Sequence, residues 1–369
     1  MTNMNNDRLI RTGWFLFIIS IVLTIFILAK SILVPFLLSV FITYLLYPLV
    51  WKIERRGLHR GLSILLVLLM ATIIIGGVTL ILSIKLSNAS LDFESIKETL
   101  DTKTDALQNM LQKKAGVNAK TMHYYVEKTS KNLIEGAQSV LKNLFTATSA
   151  VLFQIGLIPV FIFFLLYYRT KTAYFIFRLV GRKNKSLALH ILREISSVTT
   201  KYLGGMFIVV SILAVLNSIG LLIIGVEHAI IFGSLAAILN LIPYIGTFIG
   251  GLIPFMFILF TSSDPTNILI KIVVVFSIVQ FLENNLITPN IVGNTIKINP
   301  LAIIIGMLFA NMIWGVAGML IVMPILAILK VIMRNVAGFE PYAYLISNRG
   351  TEKHNININL LDKIKKKLK

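Results

Sequence analysis

Cysteine is absent from this sequence, and charged residues are scarce. Without a cysteine among its 369 residues, the chain can form neither disulfides nor thiolate metal sites. Only 14% of its residues are charged, whereas a typical soluble domain has about 25%, and 56% are hydrophobic. So large an excess of apolar side chains must face something other than water.

The sequence instead contains long apolar runs. Several reach the roughly 20 residues that a helix needs to cross a bilayer. These runs do not alternate apolar and polar residues, which argues against a transmembrane β-barrel. We therefore predict an all-α polytopic membrane protein with about six to eight transmembrane helices.

Acidic residues are few, 16 against 35 lysines and arginines, and the net charge is +19. The positive-inside rule accounts for this excess, because lysine and arginine collect in the cytoplasmic loops of membrane proteins. We expect no nucleic-acid partner, since no basic segment is interleaved with aromatic residues as in single-strand binders. The basic segments 52–60 and 169–203, the second with eight basic residues against one acid, predict cytoplasmic loops and cytoplasmic N- and C-termini.

The chain divides into four regions by composition. Residues 85–145 are polar and have apolar residues at spacings of three and four, which predicts a small extracytoplasmic element of amphipathic helices. Single spans are predicted at 13–29, 32–51, 61–84, 149–168, 204–225 and 266–288. The predicted regions are the N-terminal transmembrane helices (1–84), the extracytoplasmic segment (85–145), a transport region (146–335) and a basic cytoplasmic tail (336–369).

Two apolar runs, 228–260 and 300–333, are too long for one straight span. The first has 33 residues, or about 50 Å of helix, whereas a bilayer core is about 30 Å thick. Residues 240–251 of the first run and 314–319 of the second are rich in proline or glycine. Each run is therefore a broken full span or a re-entrant helical hairpin. We favour two hairpins, which would form the inverted pair common in transporters.

Polar residues inside the apolar sequence form the candidate site. Gln280, Glu283 and Asn284 fall at i, i+3 and i+4, on one face of a helix. An ionised carboxylate facing lipid would cost at least a few kcal/mol, so Glu283 should face the protein interior or water. It could carry a proton or cation or accept a hydrogen bond from a substrate. Alternatively it is part of an interhelical polar clamp, or lies at the cytoplasmic interface because Pro289 ends the helix nearby.

Unwound backbone in a membrane is tolerated where it lines a cavity or is buried in protein. The break from Pro243 to Gly246 favours a functional role, whereas Gly250 and Gly251 are equally suited to close helix packing. No HExxH, GxSxG or phosphate-binding GKS motif is present, so we predict no catalytic residue, no metal site, no cofactor and no enzyme activity.

Three blocks together resemble the AI-2E family of bacterial transporters. They are LNLIPYIGTFIGGLIP (239–254), QFLENNLITPNIVGNTIKINPLAIIIGML (280–308) and WGVAGMLIVMPILAILKVI (314–332). The resemblance covers about residues 10–335 and implies a multi-pass transporter of the bacterial inner membrane that forms a homo-oligomer, with a pentamer as the expected state. The family is named for export of the signal autoinducer-2, and some relatives are Na+/H+ antiporters.

The resemblance and the residue patterns give two sets of candidate residues. The substrate or ion pathway comprises Gln280, Glu283, Asn284, Asn285, Pro243, Tyr244 and Gly246. The residues of helix breaks and helix packing are Gly250, Gly251, Pro254, Pro289, Gly293, Pro300, Gly315 and Gly318. The sequence departs from the family pattern at Tyr168, where an Asp often precedes the basic residue, so a charge pair is expected to be missing. It also departs at ANMIWG (310–315), where small glycine pairs are usual.

Three functions remain open from the sequence. The chain could export a small polar metabolite such as autoinducer-2, with amides and backbone as hydrogen-bonding groups. It could exchange Na+ or Li+ for H+ through Glu283, with H+ or Na+ as the coupling ion. A non-transporting membrane scaffold is the third possibility, but unwound backbone would give a scaffold no advantage.

Overall fold

The computed structural model describes residues 2–88, 149–262, 265–293 and 296–348. The predicted extracytoplasmic segment 85–145 lies outside the described residues except for its first four, and the tail is described only up to residue 348. Helices make up nearly all of the described chain, which confirms an all-α polytopic membrane protein. Within it, six helices are long and apolar enough to cross a bilayer, or seven if one bent pair forms a span.

Twelve helices are described. They are α1 (Thr2–Leu28), α2 (Lys30–Glu54), α3 (Arg60–Asn88), α4 (Ser149–Tyr167), α5 (Arg169–Val180), α6 (Lys185–Ile224), α7 (Ala229–Leu239), α8 (Ile245–Thr261), α9 (Thr266–Ile291), α10 (Pro300–Trp314), α11 (Val316–Asn335) and α12 (Glu340–Leu345). Helix α1 begins eleven residues before the predicted start at residue 13, because a helix can continue past the apolar stretch that its prediction was based on.

The chain forms two compact units. The first contains Met1–Gly61, Val160–Gly204 and Val292–Lys369, and the second contains Leu62–Pro159 and Gly205–Ile291. Helix α6 contributes residues to both.

An ion pair joins α2 to the start of α5 in the first unit. Both terminal guanidinium nitrogens of Arg169, Nη1 and Nη2, donate to the carboxylate of Glu54, the first over 3.0 Å. Nearby, the guanidinium of Arg60 donates to the carbonyl of Leu166 over 2.9 Å and to the hydroxyl of Thr170 over 3.2 Å. The expectation of a missing charge pair at Tyr168 was therefore wrong, since Glu54 of α2 supplies the carboxylate.

We expect Glu54→Gln to lower the free energy of unfolding by about 1–3 kcal/mol, because charge-assisted, two-point hydrogen bonds to a mostly buried carboxylate are lost. The melting temperature of the detergent-purified protein measures this loss. The swapped pair Glu54→Arg with Arg169→Glu should recover part of it. If the swap is no more stable than either single variant, the pair contributes no net stability.

The segment 169–203 was predicted as a loop, and this prediction was wrong. It consists of α5, a short 3-10 turn at Arg182–Asn184 and the first part of α6. The start of α6 is polar overall but buries one face, at Ala188, Ile195, Thr199 and Tyr202. The spacing of seven, four and three residues is that of an amphipathic helix, so helix α6 extends well before residue 204.

The run 300–333 is broken, as predicted, and folds back as a hairpin. Helix α10 ends at Gly315, whose φ of +64° suits glycine, and α11 starts at the next residue. Gly318 lies so close to the carbonyl of Ala310 that no Cβ would fit, and a Cβ at Gly306 would lie 3.2 Å from Val322. The two arms of the hairpin are thus in contact along their length.

In the second unit, the run 228–260 is also broken, into α7 and α8. Both helices pack with α6 and α9 around an apolar core formed by Leu221, Val226, Ala229, Ile258 and Ile272. At about 16 Å and 26 Å, the two arms are each shorter than a 30 Å bilayer core. Helix α9 was predicted to be an ordinary span, but it contains a π-helical segment at Glu283–Ile287.

Candidate functional site

The break between α7 and α8 contains a strained turn. The N–H of Ile245 donates to the carbonyl of Pro243 over 2.7 Å, which closes a three-residue turn around Tyr244. Tyr244 has φ +65° and ψ −51°, a conformation that bulky side chains rarely adopt. Its side chain is 58% exposed, so little packing holds this turn in place on that side. Strained backbone of this kind is concentrated at functional sites.

Two glycines allow the arms of this hairpin to meet. Gly246 is packed against the carbonyl group of Leu239, in a position where no Cβ would fit. A Cβ at Gly250 would lie 2.9 Å from the Cα of Ala236. The close approach brings the polar residues on both sides of the break to one place.

Glu283 lies at the first position of the π-helical segment of α9 and is only 9% exposed. A π-helical turn holds an extra residue and so changes the direction of the side chains that follow it. Such turns are frequent at functional sites. Here Glu283 faces inward, whereas Asn284 and Asn285 are exposed.

A chain of hydrogen bonds connects Glu283 to the broken hairpin. The hydroxyl of Thr247 donates to Oδ1 of Asn240 over 2.8 Å, and Nδ2 of Asn240 donates to Oε1 of Glu283 over 2.7 Å. Asn240 follows the last residue of α7, and Thr247 lies in the first turn of α8. A conformational change at the break would therefore alter the surroundings of the carboxylate directly.

A small cavity adjoins this chain. It has room for about one water molecule. Its polar lining residues are Asn217, Asn240, Thr247, Gln280 and Glu283. Asn217 is 5% exposed, and its Oδ1 accepts no hydrogen bond from any described residue. A buried acceptor without a protein donor is a position at which a water, a hydroxyl group or a small cation can bind.

The lining chemistry limits what can bind. Glu283, Asn240, Thr247, Gln280 and Asn217 offer oxygen atoms of carboxylate, amide and hydroxyl groups. Oxygen ligands suit hard cations, and the same groups hydrogen-bond to polyols. The chain has no cysteine, and no histidine of the described residues lines the cavity, so these residues do not offer the ligands that a soft metal ion prefers.

The structure brings some of the predicted residues together and leaves others apart. Gln280 and Glu283 line the cavity, and Nε2 of Gln280 donates to Oδ1 of the exposed Asn284 over 3.2 Å. The amide of Asn285 donates to the carbonyl of Phe281 within its own helix. Pro289 was predicted to end the helix, and this prediction was wrong, since α9 continues to Ile291.

The remaining predicted residues lie at helix ends and contacts. Pro243 and Tyr244 lie in the turn, Gly246 and Gly250 face α7, Gly251 faces the ring of Phe276, and Pro254 is buried within α8. Four lie in the first unit, namely Gly293, with φ +60°, Pro300 at the start of α10, and Gly315 and Gly318 in the hairpin. Nothing places these four in the polar cavity.

The predicted site residues did not include Asn217, Asn240 or Thr247, which the structure places at the cavity. Asn217 is an amide in the otherwise apolar run LAVLNSIGLL, and polar residues within membrane helices are by default functional candidates. Asn240 begins the segment with the break. The sequence thus marks Asn217 and Asn240 as candidates, but it does not show that both lie close to Glu283 in space.

Comparison with known proteins finds similarity to transport proteins. The profile of the family described as AI-2E family transporter matches residues 16–338. The YrrI protein of Bacillus subtilis (strain 168) is 28% identical over 321 residues, which cover 82% of this chain and 86% of YrrI. The AI-2 transport protein TqsA of Escherichia coli (strain K12) is 25% identical over 328 residues, covering 88% of this chain and 92% of TqsA.

Proposed function

Because the chain belongs to the AI-2E transporter family, we propose that it is a secondary transporter that exports a small polar metabolite, such as autoinducer-2, across the bacterial inner membrane. The observation that carries this proposal is the hydrogen-bond chain from Thr247 through Asn240 to the buried Glu283, beside a strained break in a membrane helix. The relative TqsA, named as an AI-2 transport protein, supports the choice of solute.

The geometry suits a carrier for a neutral, hydroxyl-rich solute. Such a solute is recognised by hydrogen bonds, which amide, carboxylate and hydroxyl groups provide in both donor and acceptor form. The cavity has room for about one water molecule, so a larger solute could enter only after the cavity widens. Opening the α7–α8 hairpin at the turn around Tyr244 would enlarge the cavity and admit the solute.

Efflux from proteoliposomes tests the proposal. Vesicles containing the purified protein are preloaded with autoinducer-2, and release is followed with and without an imposed pH or Na+ gradient. We expect release above that from protein-free vesicles, and faster release under one of the gradients. Release that equals the protein-free rate under every gradient would refute export of this solute.

A second candidate function is exchange of Na+ or Li+ for H+ at the same site. The observation that favours it is the unpaired Oδ1 of Asn217, which faces a one-water cavity together with the carboxylate of Glu283. A dehydrated Na+ is smaller than a water molecule and so fits this cavity, and as a hard cation it is coordinated by oxygen atoms. Glu283 would bind either the cation or a proton, which couples the two.

We expect Asn217→Leu to reduce Na+-driven proton movement by about tenfold or more, because one of the oxygen ligands is lost. The protein should stay folded, since replacing an unpaired buried amide by an apolar side chain of similar size removes an unsatisfied group. A pH-sensitive dye inside proteoliposomes reports the movement after addition of NaCl. Ser211→Ala, an exposed hydroxyl on the same helix, is the matched control. Absence of any Na+ response in the wild type would exclude the antiport.

We propose that both termini lie in the cytoplasm and that the protein assembles as a homo-oligomer, such as a pentamer. The orientation is supported by the eight basic residues of segment 169–203 against one acid. The assembly is supported by the family resemblance and by α1, whose residues from Ile10 to Leu28 include none that is buried. Mass measurement of the detergent-solubilised protein would give the number of subunits.

A further inference from the structure

Helix α5 bends sharply away from the direction of α4, the helix that precedes it. The described end of α4, Gly156–Tyr167, and α5 differ in direction by 65°, with the break at Tyr168. With 19 residues, or about 28 Å, α4 is by itself nearly long enough to cross a bilayer. Helix α5 is therefore not needed to complete a span. If α4 is tilted like most membrane helices, α5 lies closer to the plane of the membrane than to its normal.

The outer side of α5 carries exposed apolar side chains that no described residue covers. None of its twelve residues is buried. Tyr174 and Phe175 are each 59% exposed, and Leu179 is 70% exposed. Ala173, Ile176 and Phe177, on the other side of the helix, are half-buried. Two aromatic residues and a leucine grouped on the exposed side of a short helix are unfavourable in water.

Basic residues share this outer side. On the helix, Lys171 and Arg178 are seven residues apart, so they lie close to the same face, with Tyr174 between them. The guanidinium of Arg178 lies over the ring of Tyr174 at 5.4 Å, and the ammonium of Lys171 lies 5.8 Å from the ring of Tyr168. Three further cations follow at Arg182, Lys183 and Lys185, and no acid occurs between residues 170 and 193.

We propose that α5 lies in the membrane–water interface and that its outer side binds anionic phospholipids. Phe175 and Leu179 insert at the level of the upper acyl chains, and Lys171 and Arg178 contact headgroup phosphates. Aromatic and basic residues grouped in this way are typical of interfacial helices. The proposal does not depend on the transported solute.

The charge pattern selects the lipid surface over a second copy of the chain. A copy of α5 would present the same cations, which repel at short range. Arg169 is already neutralised by Glu54, so the charges left on the outer side are those of Lys171 and Arg178. An anionic bilayer supplies counter-charge and an apolar layer together, and each basic residue near such a surface contributes about a fivefold preference at low salt.

Quenching of a tryptophan in α5 tests the proposal. Phe175→Trp is placed in nanodiscs of phosphatidylcholine and phosphatidylglycerol in equal parts, with bromine on the acyl chains of one lipid or the other. The parent chain, with Trp14, Trp51 and Trp314, gives the background to subtract. We expect strong quenching by both brominated lipids, and more by phosphatidylglycerol. The proposal is overturned if neither brominated lipid quenches the tryptophan. Residue 175 then faces water, where acrylamide quenches it, or is covered by a neighbouring subunit.

The preference for anionic lipid has its own control. In Lys171→Gln with Arg178→Gln, the excess quenching by phosphatidylglycerol should disappear, while total quenching persists because the apolar side chains remain. The pair Lys201→Gln with Lys271→Gln removes two exposed charges elsewhere and should keep the excess. An equal loss in both pairs would mean that net charge alone, and not α5, selects the lipid.

Discussion

Glu283→Gln is expected to lower transport by about tenfold or more while leaving the protein folded. Glutamine has the same shape and keeps an Oε1 atom that can accept from Nδ2 of Asn240, which the carboxylate now does over 2.7 Å. What the variant loses is the negative charge and the ability to bind and release a proton. Efflux from proteoliposomes measures the loss of transport, and the melting temperature of the purified variant shows whether it is still folded.

Glu227→Gln is the matched control, because Glu227 is an exposed carboxylate in the same unit. It should transport at the wild-type rate. A Glu283→Gln variant that also transports every tested solute normally, under every gradient, would contradict the role of carrier. The hydrogen-bond chain would then be a clamp that holds α9 to the broken hairpin.

Glu283→Leu separates these two roles further. It removes the acceptor, so the amide of Asn240 is left buried without its partner, which typically costs about 1–3 kcal/mol. A clamp predicts that Glu283→Leu is unstable and that Glu283→Gln is normal in every respect. A carrier predicts that both are inactive, although only the leucine variant is unstable.

The helix breaks could be predicted from the sequence because their causes are local. Pro243 and Gly246 interrupt one apolar run, and Gly315 interrupts the other, within segments too long for a single bilayer crossing. Glu283 could be predicted for a similar reason, since a carboxylate amid apolar residues must have partners. Neither inference required knowledge of which residues meet in space.

The composition of the site could not be predicted because it depends on tertiary contacts. Asn217 and Glu283 lie in two different helices and Asn240 directly follows a third, and only the fold brings them to one cavity. The π-helical turn was missed because it has no reliable sequence signal. Asn284, which was predicted on the same face as Glu283, is exposed. The prediction of a loop at 169–203 rested on its eight basic residues, although its apolar residues also recur with helical periodicity.

Gly246→Ala is expected to destabilise the α7–α8 hairpin by about 3 kcal/mol or more. A Cβ at this position would overlap the carbonyl group of Leu239, which is backbone and cannot move aside as a side chain could. To accept alanine, the turn around Tyr244 would have to open, and Thr247 and Asn240 would separate from Glu283. The melting temperature and the transport rate should therefore fall together.

Two other glycines in the same unit give a graded comparison. At Gly251 an added Cβ would lie 3.3 Å from the ring of Phe276, and a side chain can shift by a few tenths of an ångström. At Gly76 it would meet no atom of the described residues within 4 Å. Stability should therefore fall in the order Gly76→Ala, Gly251→Ala, Gly246→Ala. If Gly246→Ala is as stable as Gly76→Ala, the hairpin is not closed this tightly in the membrane, and the polar chain to Glu283 is not held by the turn.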